Sequence, residues 1–261
     1  MNASQRGKKM ITATIQARMG SSRLPGKVLA DIEGKPLLLW QIERIKRSRL
    51  VDNIIVATSD SKKDDELQHF CSEYGVQCYR GPEDDVLARV SSLLKDLRIE
   101  THVECYGDSP LIDPQIIDEF VGYFLKHKQT VDYVSSAIKT TYPPGLEVTV
   151  YAAETLIEVN KWVSNTDPLR EHVGYNVTRF PDSFKIMVME APNYFYAPDL
   201  YLEVDTPNDL SVIQSIFKYF NSLGKHHFSL SDILNFLQKN PNITKKNASE
   251  DRRWKKFRDF K

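Results

Sequence analysis

No run in this 261-residue chain approaches the ~20 apolar residues that a membrane span needs, so no membrane insertion is expected. The basic start, MNASQRGKK, leads only into Met10–Ile15, too short for the apolar region of a secretory signal. Cysteine is scarce. Cys71, Cys78 and Cys105 form no CxxC pair, lie far from any His-x-His spacing, and are odd in number. That argues against a disulfide framework and against zinc, and it points to buried thiols in a reducing cytoplasm. Charge of one sign is also missing: Lys and Arg total 35, and so do Asp and Glu. No overall field recommends nucleic acid or an anionic membrane as a partner. Internal repeats and low-complexity stretches are absent as well.

What is present is an alternation. Met10–Gln16 reads as a strand, Pro36 to about Arg47 as a helix, and Asn53–Thr58 as a near-continuous apolar strand of the kind buried on both faces. A helix over Asp64–Tyr74, a strand over Val76–Arg80, a helix over Val86–Leu97 and a strand over Thr101–Cys105 follow. Such alternation predicts an α/β fold: a doubly wound, mostly parallel sheet with helices on both faces. Further on, Val131–Ser136, Glu147–Tyr151, Phe184–Met189 and Leu202–Val204 read as strands. Ala153–Val159, Asp209–Leu223 and Ser231–Leu237 read as helices, the last capped by Ser229 or Ser231. The expected organisation is one domain over residues 8–240. Its nucleotide-binding part spans 8–130 and 196–240, a smaller lobe covers 131–195, and a basic tail occupies 241–261.

In such sheets ligands bind beyond the carboxyl ends of the strands. After the first strand comes Ala17-Arg18-Met19-Gly20-Ser21-Ser22-Arg23-Leu24-Pro25-Gly26-Lys27, with cations at Arg18, Arg23 and Lys27. The glycines permit close approach of backbone N–H groups to an anion, and the side chains add full charge. Lys27 is followed by valine and no GxGxxG occurs here, so neither a Walker loop nor a dinucleotide fingerprint is present. The loop reads as a triphosphate cradle.

The string QARMGSSRLPGKVL (Gln16–Leu29) resembles the opening motif of the cytidylyltransferase family that includes CMP-Kdo and CMP-sialic acid synthetases. The likeness is greatest to the branch of spore-coat polysaccharide biosynthesis protein F. It continues through GKPLL at Gly34–Leu38, IVATS at Ile55–Ser59, the pair Asp64–Asp65 and RGPEDDVLAR at Arg80–Arg89. GDSPLIDP at Gly107–Pro114, PPGLEV at Pro143–Val148, REHV at Arg170–Val173 and VDTPNDL at Val204–Leu210 extend it. The resemblance implies a Rossmann-like nucleotidyltransferase fold related to GT-A. It implies transfer of CMP from CTP to a small acidic sugar of the nonulosonic or octulosonic type, release of pyrophosphate, and a homodimer.

Asp108 and Asp205 match the family's two magnesium-binding aspartates. From the residues alone, Asp108 reads equally as a turn residue and Asp205 as a helix cap ahead of Pro207. Mg²⁺ takes hard oxygens, commonly one or two carboxylates plus phosphates, and Lys27, Arg18 and Arg23 would steady the phosphates. Cytosine is expected near Arg80, Asp85 and Arg89, although Arg89 reads equally as a surface ion-pair residue. The acceptor is expected at Glu147, Arg170, Glu171 and His172, with Arg170 clamping a carboxylate. The branch usually carries Arg-x-Thr-Gly-Asp before the first aspartate, where this chain has Glu104, Cys105 and Tyr106. It usually carries Arg and Thr before the second, where Tyr201 and Glu203 stand here. Those substitutions remove positive charge near the site.

Rival readings are a nucleotidyltransferase for a sugar phosphate or phosphonate and a glycosyltransferase, which Asp108-Ser109-Pro110 disfavours for want of a DxD. A non-catalytic nucleotide-binding module is the third. The tail from Thr244 to Lys261 holds eight Lys/Arg against three Asp/Glu. It reads either as a solvated end or as an arm, bearing Trp254, Phe257 and Phe260, that covers the site or a partner subunit.

Overall fold

The computed structural model describes residues 10–255; Phe257 and Phe260 lie outside them. Strand β1 (Ile11–Gln16) pairs in parallel with β4 (Asn53–Ser59) on one side and β6 (Thr101–Tyr106) on the other, and β4 pairs in parallel with β5 (Gln77–Gly81). Beyond β6 come β8 (Thr149–Ala152), β7 (Tyr133–Ser135) and β9 (Ile186–Val188), completing a seven-stranded order β5-β4-β1-β6-β8-β7-β9. Only β8 runs against its neighbours. A small hairpin, β2 (Asp31–Ile32) and β3 (Lys35–Pro36), stands apart. The mostly parallel α/β sheet is the one the alternation predicts, and the strands of 131–195 extend that same sheet.

The two faces of the sheet differ. On one, Ala13, Ile15, Val56 and Val103 pack under α1 (Leu37–Ile45), α2 (Asp65–Glu73), α4 (Pro114–His127), α6 (Pro207–Ser222) and α7 (Leu230–Lys239). On the other, Ile55, Ala57, Tyr133 and Tyr151 pack under α3 (Val86–Asp96) and α5 (Ala153–Trp162). This second face also buries polar groups: Thr14 Oγ1 lies 2.7 Å from His102 Nε2, and burial pushes the His102 ring down to about 3, so it stays neutral. Ser229 caps α7 in a reciprocal box with Asp232.

Two expectations change. Thr206, not Asp205, caps α6, boxed with Asp209, which leaves Asp205 free of that duty. Leu202–Val204 is not a strand of the sheet. It threads between two turns, with Leu202 N–H donating to Pro144 O and Val204 N–H to Asp108 O, each at 2.8 Å. No strand runs beside it, so no ladder forms. Gly145 permits this passage: its φ is +98°, and a Cβ there would lie 2.6 Å from Glu203 N. Gly145→Ala is expected to cost about 1–3 kcal/mol, read from the midpoint of urea unfolding.

Candidate active site

Strands depart from β1 in one direction and return at β6 on its other side, which leaves a crevice beyond their carboxyl ends. A cleft of about 610 Å³ opens there, a size typical of small-molecule sites. Gly107 lets the two strand ends close up, since a Cβ would stand 2.9 Å from Gln16 O.

The loop after β1 folds around one carbonyl. Ser21 N–H and Gly26 N–H donate to Met19 O at 2.9 and 3.0 Å, and Gly26 takes the left-handed φ of 71° that turns the chain into Lys27. Met19 N–H in turn donates to Asp64 Oδ1 at 2.7 Å. Burial opposes charge on Asp64, but the N–H groups of Met19 and Ser59 and the Ser59 hydroxyl outweigh it and hold this carboxyl below its ordinary range. Several loop N–H groups are therefore engaged internally, and the charge of the cradle comes from side chains.

Those side chains gather the distant acids. Lys27 Nζ donates to Asp108 Oδ2 at 3.1 Å, to Asp205 Oδ1 at 2.9 Å and to Val204 O at 2.7 Å. Arg23 holds the other Asp205 oxygen at 2.7 Å. Burial works against the Lys27 charge, yet Asp108 and Asp205 more than offset it and keep the ammonium above its ordinary range. Both carboxylates grip one nitrogen, so these two oxygens lie within about 6 Å of each other.

Arg18 pairs with Glu171 at 2.6 Å, which joins the loop after β1 to an expected acceptor residue across the cleft. Arg89 is buried at the start of α3 and donates to Pro82 O at 2.7 Å. Burial, and next the like charge of Arg18, pushes its guanidinium down. Both guanidinium groups line the cleft.

The cleft takes up Ala17, Arg18, Ser21, Ser22, Arg23, Lys27, Arg89, Asp108 and Asp205, and also Glu147, Glu171 and His172. Five expected residues stand elsewhere. Arg80 is spent on Ser59 O, Ser61 O, Asp65 and Gln68, which ties β5 to the start of α2. Asp85 caps α3 and receives Arg170, whose buried guanidinium also bonds Val163 O and Asn160. Arg170 is therefore a buried tie between helices and does not line the cleft. Gly20 and Met19 lie off the cleft wall, and the Met19 backbone is spent on Asp64 and on the loop's own N–H groups.

The structure adds residues that the sequence did not single out as site residues. Tyr106, Tyr133 and Arg253 line the cleft, and Trp254 does so as the covering arm offered by the tail would. Glu104, fully buried, accepts from Tyr106 Oη at 2.5 Å, Tyr151 Oη at 2.7 Å and Gly174 N–H at 3.2 Å. Burial dominates these bonds and raises its carboxyl. Glu203 is pushed up to about 8 by burial and then by the neighbouring Glu147 and Asp108, and it accepts Trp254 Nε1–H at 2.7 Å.

The cytidylyltransferase family profile matches residues 12–231. The chain belongs to this family. It is 30% identical over 231 residues to spore coat polysaccharide biosynthesis protein SpsF of Bacillus subtilis, spanning 87% of this chain and 93% of that one. A solved cytidylyltransferase from Leptospira borgpetersenii superposes with a TM-score of 0.83 at 29% identity, covering 91% of this chain and 97% of the other. The 3-deoxy-manno-octulosonate cytidylyltransferase of Polynucleobacter necessarius is 37% identical over 136 residues, 50% of this chain and 51% of its own. The enzyme is thus a cytidylyltransferase, a kind of nucleotidyltransferase. Among the described residues no helix of this cytidylyltransferase is long and apolar enough to cross a membrane.

Proposed function

We propose that this cytidylyltransferase transfers CMP from CTP to a hydroxyl of an acidic keto-sugar of the octulosonic or nonulosonic type, releasing pyrophosphate for surface-glycan assembly. It works with Mg²⁺, in the cytoplasm and as a homodimer. The observation that carries the reading is the convergence of Asp108 and Asp205 on Lys27 at the β1–β6 crevice, beside Arg18 and Arg23. The half-length likeness to the octulosonate enzyme supports the acceptor class, and three free cysteines accord with a reducing compartment.

The donor set fits magnesium. Two carboxylates within reach of one cation position, with no third His, Cys, Asp or Glu grouped around them among the described residues, match an ion that fills its remaining sites from phosphates and water. When bound, magnesium neutralises charge on the phosphate oxygens and the departing pyrophosphate. Asp108 and Asp205 would hold it. Lys27, Arg23 and Arg18 would hold the phosphates so that the acceptor oxygen meets the α-phosphorus in line with the leaving group. Both Asp205 oxygens rest on cations, which assigns this residue to holding charge rather than to removing the hydroxyl proton. Arg89, buried at the foot of the cleft, serves the anionic nucleotide.

A second reading concerns the acceptor's charge. Arg170 is consumed elsewhere and Glu147 and Glu203 line the cleft, which favours an acceptor with a single negative charge over a phosphate dianion. Purified enzyme incubated with CTP, Mg²⁺ and a series of keto-sugar acids should show one new phosphodiester resonance and pyrophosphate by phosphorus NMR. A diphosphate doublet formed from a sugar phosphate, or equal use of UTP, removes the assignment.

A further inference from the structure

Residues beyond α7 return across the site. Asn247 Nδ2–H donates to Tyr201 O at 3.1 Å and to Asp209 Oδ1 at 2.8 Å. Arg252 is buried, pairs with Asp209 Oδ1 at 2.8 Å and lies 4.2 Å from the centre of the Tyr201 ring. Trp254 donates to Glu203, and Lys255 Nζ donates to Tyr201 Oη at 2.7 Å. Tyr201 and Glu203, the two positions where this chain carries no Arg or Thr, are therefore the ones this segment grips.

The same segment touches the phosphate loop. Arg23 Nη1–H donates to Asp251 O at 2.6 Å, and Arg253 Nη1–H donates to Ser22 Oγ at 3.0 Å. Arg253 is exposed and faces the cleft. Its charge differs from the others on this side. Lys27 and Arg23 are matched by Asp108 and Asp205, and Arg18 by Glu171. Among the described residues Arg253 has a hydroxyl partner and no carboxylate. The buried Arg252 next to it fixes where the backbone stands, so the guanidinium is delivered to the loop at low cost in chain entropy.

We propose that Arg253 is a polyphosphate-binding residue of this enzyme, supplied by the C-terminal segment to the β- and γ-phosphates of the nucleotide. The inference rests on the CTP reading above. A guanidinium suits phosphate oxygens through paired donors, and a residue outside the loop can withdraw with the segment when pyrophosphate leaves. Calorimetric titration of the full chain with CTP and with CMP, each with Mg²⁺, tests it in the wild type and in Arg253→Gln. The substitution should weaken CTP about tenfold, the loss of one charge-assisted contact, and leave CMP within about twofold. The melting temperature should hold, since Arg252 still anchors the segment. Unchanged CTP affinity, or equal weakening of CTP and CMP, overturns the proposal while the CTP reading stands. A wild type that binds neither nucleotide overturns both.

Discussion

Asp108→Asn and Asp205→Asn should each lower turnover about 100- to 1000-fold, the usual cost of removing one preorganised charge from a transition state. Pyrophosphate release under saturating CTP is the readout. The fold should survive either change. Lys27 bonds three oxygens, Asp108, Asp205 and Val204 O, so losing one carboxylate leaves two partners and no orphaned ammonium. If both residues hold one magnesium ion, the half-saturating Mg²⁺ concentration rises in each variant. The double variant is then barely worse than the single ones, because groups that act as a unit do not add. Near-normal turnover in either single variant, or strictly multiplicative losses in the double, counts against a shared ion.

Arg252→Met should be the most damaging substitution for stability, about 3–5 kcal/mol, because it strands a buried carboxylate. Asp209 is fully buried and Arg252 nearly so. Burial opposes the Asp209 charge, but Arg252, Asn247 and the Asp205 N–H outweigh it and hold its carboxyl below the ordinary range. A carboxyl depressed on folding contributes stability above its unfolded value near pH 4, and that contribution is lost as pH falls through the folded value. The wild type should therefore lose more stability than Arg252→Met between about pH 5 and pH 2, measured by urea midpoints. Adding Asp209→Asn to Arg252→Met should recover part of the loss. The recovery is incomplete because an amide keeps only one acceptor: with its oxygen at the Oδ2 place, where Thr206 and Asp205 N–H donate, its NH2 faces the Asn247 Nδ2–H that Asp209 Oδ1 accepts at 2.8 Å. A melting temperature unmoved by Arg252→Met would mean that the segment does not dock in solution.

The sheet was readable where apolar content is local. Ile11–Gln16 and Asn53–Ser59 are central strands buried on both sides, and their composition says so. The same signal misleads at Leu202–Val204, where Leu202 and Val204 are fully buried but by packing around Gly145 rather than by pairing. The direction of Thr149–Ala152 was not readable, because nothing within four residues encodes which neighbour it meets.

In the site, the loop follows the end of β1 and Asp108 the end of β6, whereas Asp205 follows Leu202–Val204, an apolar run with the composition of a strand but no ladder. Arg170 could not be judged, since its fate depends on Asp85, 85 positions away, and a buried guanidinium is committed wherever carbonyls and carboxylates surround it. The tail showed a surplus of charge, but the division of labour among Arg252, Arg253 and Trp254 is set by what folds beneath them. Glu104 looked like a charge lost from the site. Enclosed by two tyrosine hydroxyls and a main-chain N–H, it belongs instead to the packing under the floor.

The main-chain bond from Val204 N–H to Asp108 O has a bearing on how such an enzyme diversifies. It rivets the two acidic corners together through main-chain atoms that every amino acid but proline possesses, so their separation does not hang on the side chains at Tyr201, Leu202 or Glu203. Substrate preference can drift along the opposite wall, one residue at a time, while the spacing of the two aspartates stays constant.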